Sequence, residues 1–165
     1  MIIIVKNKAT LLIDDFKFKC SVGRKGFCKK KIEGDLTTPK GTFSLGNIYY
    51  RADRVQKPYS KLKSILIKKN MGWCDDPNSK FYNKLIKIKK KLKISYEKLY
   101  RKDNNYDLFI LIKYNYKKPI KSKGSAIFLH LTKNYLPTKG CIALCEKDFL
   151  ILAKLINKKT KIKIN

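Results

Sequence analysis

Histidine occurs once in these 165 residues, as His130, so only one side chain has an unperturbed pKa suited to accepting a proton near neutrality. The cysteines (Cys20, Cys28, Cys74, Cys141 and Cys145) include no Cys-x-x-Cys pair, which argues against a structural zinc site. Their odd number leaves at least one thiol unpaired within the chain. Acidic residues are scarce, 12 against 40 basic ones. Arginine is scarce too: only Arg24, Arg51, Arg54 and Arg101 interrupt the lysines. A specific phosphate reader favours arginine, whose planar fork matches phosphate geometry. The basic excess is therefore read as compositional drift with a general attraction for anions. No run approaches the roughly 20 apolar residues of a spanning helix. The first residues lack a basic leader and a small-residue cleavage site, so they are expected to be strands and not a signal peptide. There is no internal repeat and no clear linker.

What remains suits one domain over residues 1–165. The apolar fraction of 44% is enough for a core. Short apolar or alternating runs at 1–5, 10–13, 16–22, 42–50, 64–67, 108–116 and 126–131 read as strands. Residues 23–39 read as a long loop and 70–106 as irregular, with a solvated lysine-rich stretch over 84–93. One helix is predicted, over 146–157: Phe149, Leu152, Ala153 and Ile156 make one apolar stripe, and Glu146 and Asp148 sit in the first turn. Residues 161–164 can close the chain as a strand. The expected class is mainly β (α+β) with an amphipathic helix near the C-terminus.

His130 ends the apolar run Ser125-Ala126-Ile127-Phe128-Leu129, and Cys141 follows it within Pro137-Thr138-Lys139-Gly140-Cys141-Ile142-Ala143-Leu144. A cysteine in a turn after Lys-Gly can be exposed, with Lys139 and nearby N–H groups favouring its thiolate. A thiol nucleophile needs a base, and His130 is the one available. A strand-end histidine and a free cysteine are also common packing residues, so the residues alone leave catalysis and packing both open.

These strings resemble the signature of the L,D-transpeptidase (YkuD-like) family, a strand-end histidine followed by Ser/Thr-His-Gly-Cys-Ile/Val-Arg. Glu33-Gly34-Asp35-Leu36-Thr37-Thr38-Pro39-Lys40-Gly41-Thr42-Phe43 is similar to the same family's Gly-Asp-x-x-Thr-Pro-x-Gly-x-Phe segment. Trp73-Cys74-Asp75-Asp76-Pro77 and Gly124-Ser125-Ala126-Ile127-Phe128 look like counterparts in its short, single-domain proteobacterial branch. The chain departs from the pattern at Lys139, where the family has His, and at Ala143, where it has Arg.

The resemblance implies a YkuD-like mixed β-sheet or sandwich domain that joins peptidoglycan stem peptides through a cysteine thioester. Cys141 would be the nucleophile and His130 its base, with the Leu131 carbonyl a candidate partner for the other imidazole nitrogen. The N–H groups of Lys139, Gly140 and Cys141 would form the oxyanion hole. Thr138, Trp73, Asp75, Asp76 and Arg101 are weaker candidates for binding substrate, Trp73, Asp75 and Asp76 being equally readable as turn chemistry. No metal or organic cofactor is implied, and the periplasm or cell envelope is the implied compartment. Competing readings are an L,D-carboxypeptidase or peptidase that uses water as acceptor, a basic nucleic-acid-binding module, and a wall-binding relative without activity. No recognised nucleic-acid motif supports the second of these.

Overall fold

The computed structural model describes residues 1–165. The first three strands, β1 (Ile2–Asn7), β2 (Thr10–Ile13) and β3 (Phe16–Lys19), form an antiparallel meander. The loop that follows carries a short parallel pair, β4 (Phe27–Cys28) and β5 (Thr38–Pro39). Next come β6 (Gly41–Tyr50) and β7 (Ser64–Leu66), then β8 (Met71–Cys74), β9 (Leu85–Lys87) and β10 (Tyr96–Lys98). The chain ends with β11 (Leu108–Ile112), β12 (Phe128–Leu131), β13 (Ile142–Leu144), helix α1 (Glu146–Leu155) and β14 (Lys161–Ile164).

Nine strands form one mixed sheet in the order β13-β12-β11-β6-β14-β1-β2-β3, with β7 added on β6. Its two ends meet. The N–H groups of Ser21 and Ala143 each donate to the other's carbonyl at 2.9 Å, and the Thr138 N–H donates to Val22 O at 2.9 Å. The sheet therefore curls into a barrel-like form, and the segment after β3 covers the edge strand β13.

Strands β11, β12 and β13 are buried on both faces, which explains their nearly unbroken apolar sequences. Leu108, Ile110, Leu129 and Ile142 face the larger core, where α1 lays Phe149, Leu152 and Ala153. Each large apolar side chain buried there is worth roughly 1.5–3 kcal/mol. Phe109, Leu111, Phe128 and Cys141 face a second core with Tyr49, Trp73 and Tyr106.

Residues 70–106, expected to be irregular, instead hold a three-stranded antiparallel sheet in the order β10-β8-β9. Its strands are three or four residues long, too short to show alternation. The strand expected over 108–116 stops at Ile112, and Asn115 takes a left-handed φ of 47°. The helix stops two residues early, with Ile156 extended at ψ 157° while its N–H still donates to Leu152 O.

Candidate active site

Strands β12 and β13 run parallel with Leu129 opposite Ile142 and His130 opposite Ala143. Continuing that register sets Cys141, one residue before β13, level with Phe128. Side chains alternate along a strand, so Phe128, His130, Cys141 and Ala143 share one face. His130 and Cys141 are diagonal neighbours on it. Both line a cleft of about 1050 Å³, at 7% and 9% exposure.

The thiol is tightly seated. Phe128 N–H donates to Cys141 Sγ at 3.4 Å, and the thiol donates to the Ala126 carbonyl at 3.2 Å. Burial pushes its pKa up to about 12, helped by the charge of Glu97 and opposed by the Phe128 N–H, Lys31 and Tyr106. Burial likewise pushes His130 down to about 4, against the pull of its hydrogen bond to Leu131. His130 Nδ1 lies 2.8 Å from the Leu131 carbonyl oxygen. That contact requires the hydrogen on Nδ1 and leaves the Nε2 lone pair free. Burial thus favours the uncharged form of each, a thiol and a neutral imidazole.

The turn before Cys141 is built by two residues. Thr138 Oγ1 donates to the Cys141 carbonyl at 2.6 Å and accepts from the Gly140 N–H at 3.0 Å. Gly140 has φ 144°, and a Cβ there would meet the Thr37 carbonyl oxygen at 2.8 Å. With the Gly140 amide engaged, the N–H groups of Lys139 and Cys141 have no protein partner. Those two are the unengaged donors of the turn that carries Cys141.

The Gly-Asp-x-Thr-Thr-Pro segment braces this turn. Lys31, 3% exposed, places Nζ 2.6 Å from Asp35 Oδ1 and 2.8 Å from the Thr37 carbonyl. Asp35 also accepts the N–H groups of Ile32 and Thr37 and the Thr37 hydroxyl. Burial alone would raise its pKa, but Lys31 and these donors hold it well below the usual carboxylate range.

The weaker sequence candidates fall in different places. Asp75 lines the cleft, and its Oδ1 is buried without a hydrogen-bond partner. Arg101 lines the cleft as well, but its guanidinium is held by Asp103 at 2.6 Å and Glu97 at 3.3 Å. Asp76 is not at the cleft; it accepts the Asn78 N–H and holds a turn. Trp73 is wholly buried beneath the cleft, edge-on to Phe128 with ring centroids 5.2 Å apart. Its Nε1 donates to Asn83 Oδ1, which also accepts the N–H of Ala126. Trp73 and Asn83 thereby hold the segment whose carbonyl meets the Cys141 thiol.

Two cleft residues are invisible to motif reading, Glu97 and Tyr106. Tyr106 packs edge-on to the His130 ring at 5.4 Å and donates to Glu97 Oε1 at 2.8 Å. The signal for Glu97 is its isolation, as the one acid between Pro77 and Lys102 in a lysine-rich stretch. Burial raises its pKa, opposed by Tyr106 and the charge of Arg101.

The family model for YkuD, the L,D-transpeptidase catalytic domain, matches residues 1–164. No curated protein matches the chain. Among solved structures, it is similar to a mutant of the helical cell shape determining protein Pgp2 from Campylobacter jejuni, at 18% identity and a TM-score of 0.49. The similarity covers 99% of this chain and 46% of that one.

Proposed function

The chain belongs to the YkuD family of L,D-transpeptidase catalytic domains, and from that premise we propose that it cross-links peptidoglycan stem peptides through a thioester on Cys141. The observation that carries the reading is the shared cleft. The one histidine and Cys141 both line it, the imidazole tautomer is set by Leu131, and the N–H groups of Lys139 and Cys141 are free of protein partners.

His130 Nε2 takes the thiol proton as Cys141 Sγ attacks the carbonyl of a donor stem at an L-configured centre. The oxyanion accepts from the amides of Lys139 and Cys141; one such donor is worth roughly 2.7–4 kcal/mol elsewhere. The Gly140 amide joins them if its bond to Thr138 opens. His130 returns the proton to the departing amine, leaving a thioester. An amine of a second stem then attacks, gives its proton to His130, and the thiol is restored. Asp75, with its unpartnered oxygen in the cleft, is the best placed of the candidate substrate contacts. Thr138, Trp73 and Arg101 serve this reading by holding the site's frame, while Asp76 holds only the turn that follows Asp75. The whole of 1–165 works as one catalytic domain. The family acts on peptidoglycan in the cell envelope, and the periplasm is the compartment proposed for this chain. No helix is long and apolar enough to cross a membrane.

Mass spectrometry of muropeptides incubated with the protein and with Cys141→Ala tests the reading. A peptide-linked dimer made only by the unaltered protein supports it. Trimmed stems without dimers would make it an L,D-carboxypeptidase, and no change in either sample would remove the acyl-transfer claim.

A further inference from the structure

Strand β10 is the edge of its small sheet. It pairs with β8 on one side, with Tyr96 opposite Cys74, Glu97 opposite Trp73 and Lys98 opposite Gly72, and no strand pairs on the other. An antiparallel ladder bonds every second residue. The Asp75 N–H donates to Ser95 O at 3.3 Å and the Leu99 N–H to Met71 O at 3.1 Å, so Ser95, Glu97 and Leu99 are the positions that bond β8. Tyr96 and Lys98 turn their backbone groups the other way. Cys74, opposite Tyr96, agrees: its N–H donates to Lys84 O and its carbonyl accepts from the Asn83 N–H, away from β10. The N–H and carbonyl groups of Tyr96 and Lys98 are left without protein partners.

That free edge borders the cleft lined by Cys141 and His130. Side chains alternate along a strand, so a strand presenting one face would line the cleft with every second residue. Ser95, Tyr96, Glu97 and Lys98 line it consecutively. The Glu97 side chain points inward and accepts from the Tyr106 hydroxyl. Tyr96 points to the opposite face, where its ring covers Gly72, 3.0 Å from the place a Cβ would take. What Tyr96 offers the cleft is main chain. Elsewhere the fold covers such an edge, as the segment after β3 does for β13. Strand β10 stays open, and its three residues with the exposed Lys98 make it a poor site for pairing between copies of the chain. An extended peptide entering this cleft suits it.

We propose that β10 is the substrate's docking strand: the backbone of a stem peptide lies extended along its free edge and exchanges main-chain hydrogen bonds with Tyr96 and Lys98. This rests on the reading of the protein as one that acts on peptidoglycan stems. A substrate residue opposite Tyr96 or Lys98 donates one bond and accepts another, the pattern by which an added strand extends a sheet. Pairing of this kind holds the peptide through its main chain and fixes its direction and register in the cleft. Choice among side chains is then left to the walls, where Glu97 stands on the inward face of the same strand.

Hydrogen exchange read amide by amide by NMR tests this, on full-length Cys141→Ala with a tetrapeptide stem at saturating concentration. The Tyr96 and Lys98 amides are expected to exchange about tenfold more slowly with the peptide than without it, while the Glu97 amide, already bonded to β8, changes little. Calorimetric titration of Lys98→Pro and Lys98→Ala, each made in the Cys141→Ala protein, gives a second reading. Both remove the lysine side chain, but only proline removes the outward N–H, a loss that an edge strand tolerates. Lys98→Pro is expected to bind the stem about 2–10-fold more weakly than Lys98→Ala. Binding without slower exchange at Tyr96 and Lys98, or equal affinities in the two folded variants, overturns the proposal. So does exchange at these amides that slows with protein concentration alone, which marks edge pairing between copies. Should Lys98→Pro not fold, the exchange result decides by itself. If the stem does not bind Cys141→Ala at all, the peptidoglycan reading has failed, and the docking strand fails with it for that separate reason.

Discussion

His130 Nδ1 lies 2.8 Å from the carbonyl oxygen of Leu131, its own neighbour in the chain. The ring is thereby turned and its tautomer set without a second side chain, leaving Nε2 as the basic nitrogen. Replacing His130 with Ala should lower kcat by about 10²–10⁴-fold, the usual worth of a positioned base. Because burial holds the imidazole pKa near 4, the acid limb of kcat/KM should have its midpoint closer to 4 than to the ordinary 6.5. Steady-state rates across that range check both expectations.

The same burial makes stability depend on pH. His130 stays neutral when folded down to about 4, whereas the unfolded chain binds a proton below 6.5. Its contribution is present above 6.5 and is lost as pH falls toward 4, by up to about 3 kcal/mol. On the alkaline side, Cys20 and Cys141 are raised from 9.0 to about 12. The unfolded chain loses those protons first, so stability falls again as pH rises above 9. Urea unfolding of the protein and of His130→Asn should show a smaller acid loss in the variant.

Lys31 and Asp35 form a pair in which the lysine is 3% exposed. Asp35→Asn leaves that ammonium buried without a counter-charge. The cost should be about 2–3 kcal/mol, below the usual penalty for a fully buried pair because Asp35 is partly exposed. Lys31 also bonds the Thr37 carbonyl that closes on Gly140, so the turn that carries Cys141 should loosen and kcat fall as well. Denaturant midpoints together with initial rates distinguish this from a purely structural loss.

Gly140→Ala meets the same carbonyl from the other side. A Cβ would sit 2.8 Å from Thr37 O at a φ of 144°. The backbone must shift at the residue preceding Cys141. Activity should be lost even where the melting temperature drops only by a few degrees, consistent with about 1–2 kcal/mol of local strain.

The buried Asn83 side chain takes part in four hydrogen bonds, accepting from Trp73 Nε1 and the Ala126 N–H and donating to the Tyr114 and Asn115 carbonyls. Asn83→Ala strands all four partners, and about 3 kcal/mol or more of stability should go with them. Since Ala126 supplies the carbonyl that meets the Cys141 thiol, alkylation of Cys141 should change together with the melting temperature.

Local pattern made some of this legible. The stripe Phe149, Leu152, Ala153 marks the helix, and the apolar run ending at His130 marks a strand buried on both faces. The turn around Gly140 and the braced Asp35 segment are also readable, because each is a contiguous string with demanding backbone geometry. Contacts between distant strands are a different matter. Trp73 belongs to a suggestive string, yet its ring lies in the core, because the pairing of β8 with β10 and β9 turns it inward. Glu97 and Tyr106 reach the cleft through that same small sheet and the loop after it, which no periodicity announces. The closure between Ser21 and Ala143 spans most of the chain and leaves no local trace.

The central claim is a covalent acyl-enzyme on Cys141. Intact-protein mass spectrometry during turnover of a tetrapeptide stem tests it directly. The expected result is a mass gain equal to the donor less its leaving amino acid, mapped to the peptide that contains Cys141, released by hydroxylamine, and absent from Cys141→Ala. Product formation without any such adduct, and equally in Cys141→Ala, would contradict it.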